Sequence, residues 1–382
     1  VTRGLFVELL GGIGDLLLAL PALDALTQAD PDCRWDVFTF APAAELLTGD
    51  PRVVEVFAAP PGHPADDPRP FCWHQLKALL DRRAYDRIVT DTRHSGIHEL
   101  VEASGAPRTV TQLWRGAGPD EPIARLFVRR LREEGMIPLD CPDPSTRLTL
   151  SEAERQIAGE VWRTVDREPG ETVVCNPHAG MAIKRWPSES FVVLARELGA
   201  AGWKVAVLEG DLPDLARHIA GEGSAAILPR RSLRETAACL EGIALLVSAD
   251  SGLAHLAHAV GAPVVGIYGP TWAGRYGVAA PARNLQSPFD CPERQPMNFT
   301  LQRCWYSGQC VFPEKTTCCA DVSPASVLAA ARELLEQHDQ PAARGQDPEE
   351  GNQRGTSPRA TEPVDGREQP FSYPQTRRCR AD

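Results

Sequence analysis

The sequence predicts two α/β domains in tandem, each a parallel sheet with helices on both faces, and three observations lead there. Short apolar runs alternate with stretches of helical periodicity, which is the order that helix-covered parallel sheets require. The alternation stops in a charged stretch over residues 151–171 and then restarts. At 382 residues, the chain is also too long for one ordinary core.

In the first half, residues 5–10 read as a short apolar strand, broken by Gly11-Gly12-Ile13-Gly14-Asp15. Leu16, Leu20, Leu23 and Leu26, three to four apart, predict the helix that follows. Strand-like runs over 35–40, 53–57 and 85–90 alternate with helical patterns over 43–47, 74–83 and 123–134. In the second half, strands at 172–175, 203–208, 225–228, 244–248 and 264–268 alternate with helices at 188–200, 211–220, 233–240 and 253–260. The run 264–268 reads as the final strand. A cysteine-containing segment follows, then a helix at 324–337. From Asp339 the chain is rich in Pro, Gly, Arg, Glu and Gln, a composition with little to bury that predicts disorder. The expected units are residues 1–160 and 171–322, a C-terminal helix at 323–338, and a disordered tail at 339–382.

The formal net charge of −11 argues against nucleic acid as a partner, because phosphate binding needs a basic surface. No apolar run reaches the roughly 20 residues needed to span a bilayer. The N-terminus reads as strand, turn and helix, so it is expected to belong to the fold and not to a leader. Eleven cysteines, an odd number with Cys175 alone in an apolar strand, suit a reducing compartment. The expected location is the cytoplasm.

Ligands of paired α/β sheets sit in the crevice outside the carboxyl ends of the strands. Gly11, Gly12 and Gly14 form a turn there, with backbone N–H groups expected to face the cleft. It is not a dinucleotide fingerprint, since Leu17 holds the third glycine position. Asp15 reads either as a cap on the following helix dipole or as a base that accepts a proton from an attacking hydroxyl. Lys184-Arg185-Trp186-Pro187 reads either as two cations for a leaving diphosphate or as a solvated basic turn with Trp186 as a lid. Asp250-Ser251-Gly252 closes a strand and opens a helix, with Asp250 or Ser251 as N-cap and an anion site at the exposed amides. His255 and His258 share a helical face, but no third ligand falls at a supporting spacing, so no metal is expected. Cys291, Cys304, Cys310 and the pair Cys318-Cys319 are spaced too irregularly for a zinc ribbon or finger and read as structural thiols or an adventitious cluster.

Three stretches, GGIGDLLLALPALDAL (11–26), the run 176–210 that opens NPHAGMAIKRWP, and ADSGLAHLAHAVGAPVVGIYGPT (249–271), together resemble glycosyltransferase family 9, the bacterial ADP-heptose:lipopolysaccharide heptosyltransferases and their relatives. Order and spacing match as well, over about residues 3–335. The resemblance implies the GT-B fold, two Rossmann-like domains facing across a cleft, with acceptor on the first and donor mainly on the second. It implies inverting, metal-independent sugar transfer from a nucleotide diphosphate sugar, ADP-heptose foremost, to a lipopolysaccharide-core or other saccharide acceptor. No cofactor is implied, and a glycolipid acceptor would put the enzyme peripherally at the inner face of the cytoplasmic membrane. By position, Asp15 would be the base and Lys184 would neutralise the departing diphosphate. Asp250 would contact donor-sugar hydroxyls, while Ser251, Gly252 and His255 would line the diphosphate site. Glu209 or Asp214, after the 203–208 strand, would hold the ribose. Two positions depart from the family pattern: Leu9 stands where Arg or Lys is frequent, and Ala179-Gly180-Met181 where hydroxyl residues are frequent. Both leave the donor sugar and acceptor open. A sugar-nucleotide epimerase on the same fold would need a further acid/base pair that no motif demands. A non-catalytic binding relative is disfavoured by Asp15 and Lys184 occurring together.

Overall fold

The computed structural model describes residues 2–64, 67–115, 118, 120–297 and 299–339. The first sheet comprises β1 (Arg3–Val7), β2 (Arg34–Phe40), β3 (Val53–Ala59), β4 (Arg87–Thr90) and β5 (Arg108–Val110). Its order is β3-β2-β1-β4-β5, and every pairing is parallel. Helices α1 (Ile13–Ala29), α2 (Ala41–Ala44), α3 (Phe71–Arg82), α4 (Ile97–Ala103) and α5 (Ile123–Glu133) accompany it. The second sheet comprises β6 (Thr172–Asn176), β7 (Lys204–Leu208), β8 (Ala226–Leu228), β9 (Leu245–Ala249), β10 (Val264–Tyr268) and β11 (Ala282–Gln286). It runs β11-β10-β9-β6-β7-β8, again all parallel. With it come α6 (Glu152–Thr164), α7 (Ser188–Ala200), α8 (Pro213–Gly223), α9 (Leu233–Leu240), α10 (Gly252–Ala259), α11 (Ala273–Tyr276), α12 (Arg303–Ser307) and α13 (Pro324–Asp339). This is the two-sheet architecture expected from the alternation of elements.

The periodicity that marks a helix also decides which face it buries. On α5, Ile123, Leu126, Phe127 and Leu131 are buried, while Arg129 and Arg130 pair outward with Glu133 and Glu134. One core under α1 and α5 runs on without interruption beneath α6, α9 and α10 of the second half. Separate cores fill the opposite faces, one formed by Leu5, Val7, Phe38, Leu76 and Ile88, the other by Val173, Phe191, Leu245 and Leu334.

Several elements differ from the sequence expectation. Residues 151–171 contain a whole helix, α6, opened by a reciprocal cap in which the Ser151 hydroxyl accepts from Glu154 N at 3.3 Å and the Glu154 carboxylate accepts from Ser151 N at 2.7 Å. The strand at 264–268 is not the last, because β11 pairs beyond it as an edge; Arg283, Asn284 and Gln286 give it no apolar run to betray it. Strand β5 and helix α4 are short and were not anticipated. Strand β1 ends at Val7, and residues 8–12 form a turn. The tail expectation, beyond Asp339, lies outside the described residues.

In each sheet the strand order reverses between two neighbours, β1 and β4 in the first and β6 and β9 in the second. Chains leaving the carboxyl ends of such a pair diverge and open a crevice. The two crevices face each other, and α1 and α10 meet at the floor between them. A Cβ placed on Gly252 would fall 2.3 Å from Ile13 Cγ1 and 2.9 Å from Gly14 N. Gly252→Ala is therefore expected to lower stability by about 1–3 kcal/mol through overpacking against backbone that has no room to yield. Denaturant unfolding checks this; an unchanged midpoint would contradict the contact.

Candidate active site

The cleft has a volume of about 1680 Å³ and is lined from both halves. The sequence-nominated residues Gly11, Gly12, Gly14, Asp15, Lys184, Glu209, Asp250, Ser251, Gly252 and His255 all border it. Asp214 does not; its side chain projects outward from α8 and pairs with Arg217.

The Gly11–Gly12 turn departs from its expected use. Gly11 has φ of 131°, a conformation that favours glycine. Its amides do not face the cleft but turn to carboxylates. Asp91 accepts from Leu9 N at 3.0 Å and from Leu10 N at 3.2 Å. Glu8 accepts from Leu10 N at 3.1 Å and also from Gly11 N. Asp15, in the first turn of α1, accepts from Gly12 N at 2.8 Å. Asp15 is thus a helix cap in geometry while it also borders the cleft, so the two sequence readings coexist in one side chain. Burial raises its pKa above the usual carboxylate range; Lys184 opposes that shift and Asp250 adds to it.

Lys184 lies in a short turn after β6, with Nζ 3.2 Å from Asp250 Oδ2. The Thr271 hydroxyl donates to the same oxygen. The ammonium also stands 5.6 Å and 5.4 Å from the Phe299 and Trp305 rings, within cation–π range. Ser251 is the N-cap residue of α10, but its hydroxyl does not cap the helix. It accepts instead from Asn176 Nδ2 at 2.8 Å, which also donates to Ser248 Oγ at 2.9 Å. The amides at the start of α10 are thereby left without a side-chain cap, at an end of the helix that attracts anions. Burial pushes His255 down to about 4, so it presents a neutral imidazole at pH 7. Glu209 accepts from Arg230 N at 2.9 Å at the far side of the cleft.

Trp186 is no lid. It is buried against Phe191 and donates from Nε1 to Val322 O at 2.8 Å. Cys291, Cys304, Cys310 and Cys318 come together around a cavity of about 20 Å³. Among the described residues no group of three or more His, Cys, Asp or Glu is arranged to hold a metal ion.

Sequence reasoning missed Glu8, Asp91 and the aromatic wall of Phe299, Trp305 and Tyr306. Glu8 had a signal: an acidic residue inside an apolar strand run is buried at the strand's end unless the strand is exposed there. The aromatic wall had none, because the segment that carries it has no periodicity.

Two facing Rossmann-like sheets with a cleft between them are the GT-B architecture. A profile of glycosyltransferase family 9 (heptosyltransferase) matches residues 119–298. Lipopolysaccharide heptosyltransferase 1 of Pseudomonas aeruginosa is 27% identical over 300 residues, covering 73% of this chain and 82% of that one. The solved family 9 glycosyltransferase of Veillonella parvula superposes with a TM-score of 0.71 at 18% identity, over 88% of this chain and 98% of the other. The Escherichia coli ADP-heptose lipopolysaccharide heptosyltransferase II does so with a TM-score of 0.63 at 18% identity, over 88% and 100%. The chain is thus similar to glycosyltransferase family 9 over residues 119–298, and to a heptosyltransferase of that kind over most of its length.

The Lys184–Asp250 pair is largely withdrawn from solvent, with side chains 15% and 10% exposed. Breaking one side strands the other charge, at a cost of about 3 kcal/mol. Asp250→Ala should therefore destabilise more than the double change Lys184→Met with Asp250→Asn. Equal losses in denaturant unfolding would show that the pair is not coupled.

Proposed function

We propose that this glycosyltransferase moves heptose from ADP-heptose to a saccharide of the lipopolysaccharide core, with inversion at the anomeric carbon and without a metal ion. One observation carries the reading: Asp15 of the first half lies within the electrostatic reach of Lys184 and Asp250 of the second, at the floor of one cleft. The first half would take the acceptor beside Gly11, Gly12 and Gly14, and the second would take the donor. The name of the E. coli structural neighbour supports ADP-heptose as donor.

In the proposed step, an acceptor hydroxyl gives its proton to the Asp15 carboxylate as its oxygen attacks the anomeric carbon. The bond to the diphosphate oxygen breaks on the opposite face, and the nucleoside diphosphate leaves with the electron pair. In-line attack needs a base on one side and charge stabilisation on the other. Lys184 meets the departing charge as an ammonium, and Ser251, Gly252 and neutral His255 frame it at the α10 N-terminus. Asp250, anchored by Thr271, orients sugar hydroxyls, and Glu209 takes the ribose. Asp214 has no part. A raised pKa suits Asp15, since a base works best when its pKa approaches the working pH. The reading places the enzyme in the cytoplasm, with its acceptor at the inner face of the membrane.

With ADP-heptose, the protein should show a rise in melting temperature that other nucleotide sugars do not reproduce. Asp15→Ala should keep that rise and lose transfer by at least about a hundredfold. Unchanged turnover in Asp15→Ala would remove it as base. Chelation should leave the rate unchanged, and a strict metal requirement would refute the metal-free step.

A further inference from the structure

We propose that Glu8 and Asp91 are positioning residues for Asp15, a buried carboxyl pair that shares one proton and suspends the turn carrying the base. The inference rests on the reading of Asp15 as base.

Glu8 follows β1 and Asp91 follows β4, the two strands between which the first sheet reverses order. Both residues are fully buried, at 0% exposure. Glu8 Oε1 and Asp91 Oδ2 both accept from the Leu10 amide, at 3.1 and 3.2 Å, so the two carboxyls converge on one hydrogen. Asp91 additionally takes Leu9 N, and Glu8 takes Gly11 N and the Thr39 hydroxyl at 2.6 Å. With Asp15 on Gly12 N, four consecutive amides, from Leu9 to Gly12, end on carboxyl oxygens. The loop that aims the base is therefore hung on acid side chains.

Two full negative charges cannot share this site. No ion pair joins a lysine or arginine to either carboxyl among the described residues. The charged group facing the pair is Asp15 from α1, which itself faces Lys184 and Asp250 across the cleft floor. Arg93 and His94 border the cleft on the segment after Asp91, and β2 contributes only the neutral Thr39. The amides and the hydroxyl serve one ionised carboxylate and one protonated carboxyl, as in other paired acids. Consistently, burial first and then Asp15 push Glu8 from 4.5 up to about 7, and burial first and then Glu8 push Asp91 well up. Such titrations belong to the pair, not to either member.

The sign of the pH effect follows. Between about 4.5 and 7 the folded pair keeps a proton that the unfolded chain has lost, so stability falls as pH rises through that window. Melting temperatures of the full chain, Glu8→Gln and Asp91→Asn, measured from pH 5 to 8, test this without donor or acceptor. Relative to both variants, the wild type should lose several degrees as pH rises across this range. Parallel curves throughout would overturn the shared proton, as would a decline abolished by only one variant. For positioning, Glu8→Ala should lower kcat more than about tenfold with the KM for ADP-heptose unchanged, and Glu8→Gln should recover most of it. Equal kcat in Glu8→Ala and wild type would overturn the positioning role. If ADP-heptose produced no turnover at all, the donor reading would fail while the melting curves still decided the proton.

Discussion

Gly14 and Gly252 touch across the cleft floor with no side chain between them, and the active-site geometry depends on that contact. A Cβ on Gly14 would lie 3.3 Å from Gly252 Cα, so both helix starts are at backbone-to-backbone distance. The amino ends of α1 and α10 consequently point into one small volume. Each carries partial positive charge, and their juxtaposition would be unfavourable without acids beside them. Asp15 stands in the first turn of α1 and Asp250 just before α10, and Lys184 bridges to Asp250. Two buried arginines hold the halves in this relation. Arg234 of α9 donates to Leu46 O and Thr149 O, both at 2.8 Å, and pairs with Glu154. Arg275 lies 4.8 Å over the Trp114 ring.

The two helix starts at this floor are treated differently. The first half has answered its helix start and its turn amides with carboxyls. The second half has left the α10 amides uncapped, diverting the Ser251 hydroxyl to Asn176. On the proposed reading, one side takes a proton and the other receives an anion. A transfer in which a hydroxyl loses a proton as a diphosphate departs uses both halves of that asymmetry at once.

Much of this is legible in the sequence. The leucine spacing after Asp15 and the alternation of runs gave the helices and strands that frame both crevices. Asp15, Lys184 and Asp250 stood out because each follows a strand or precedes a helix, where side chains reach a cleft. What escaped did so for physical reasons. Helix α6 looked like a linker because its exposed face is charged, although its Ser151–Glu154 cap was readable. Edge strand β11 carries polar side chains and has no hydrophobic pattern. Glu8 was submerged in an apolar run, and its partnership with Asp91, 83 residues away, is a fact of strand order that no local pattern encodes. Asp214 was nominated for its place after β7, but the turn of α8 points it outward.

The central claim is that a single carboxylate on one side of the donor and cationic stabilisation on the other drive direct displacement. The anomeric configuration of the product, read by NMR after transfer from ADP-heptose, tests it most directly. The account predicts a configuration opposite to that of the donor. Retention would require a second displacement at the same carbon, and would contradict the assignment of Asp15 as a base acting in one step.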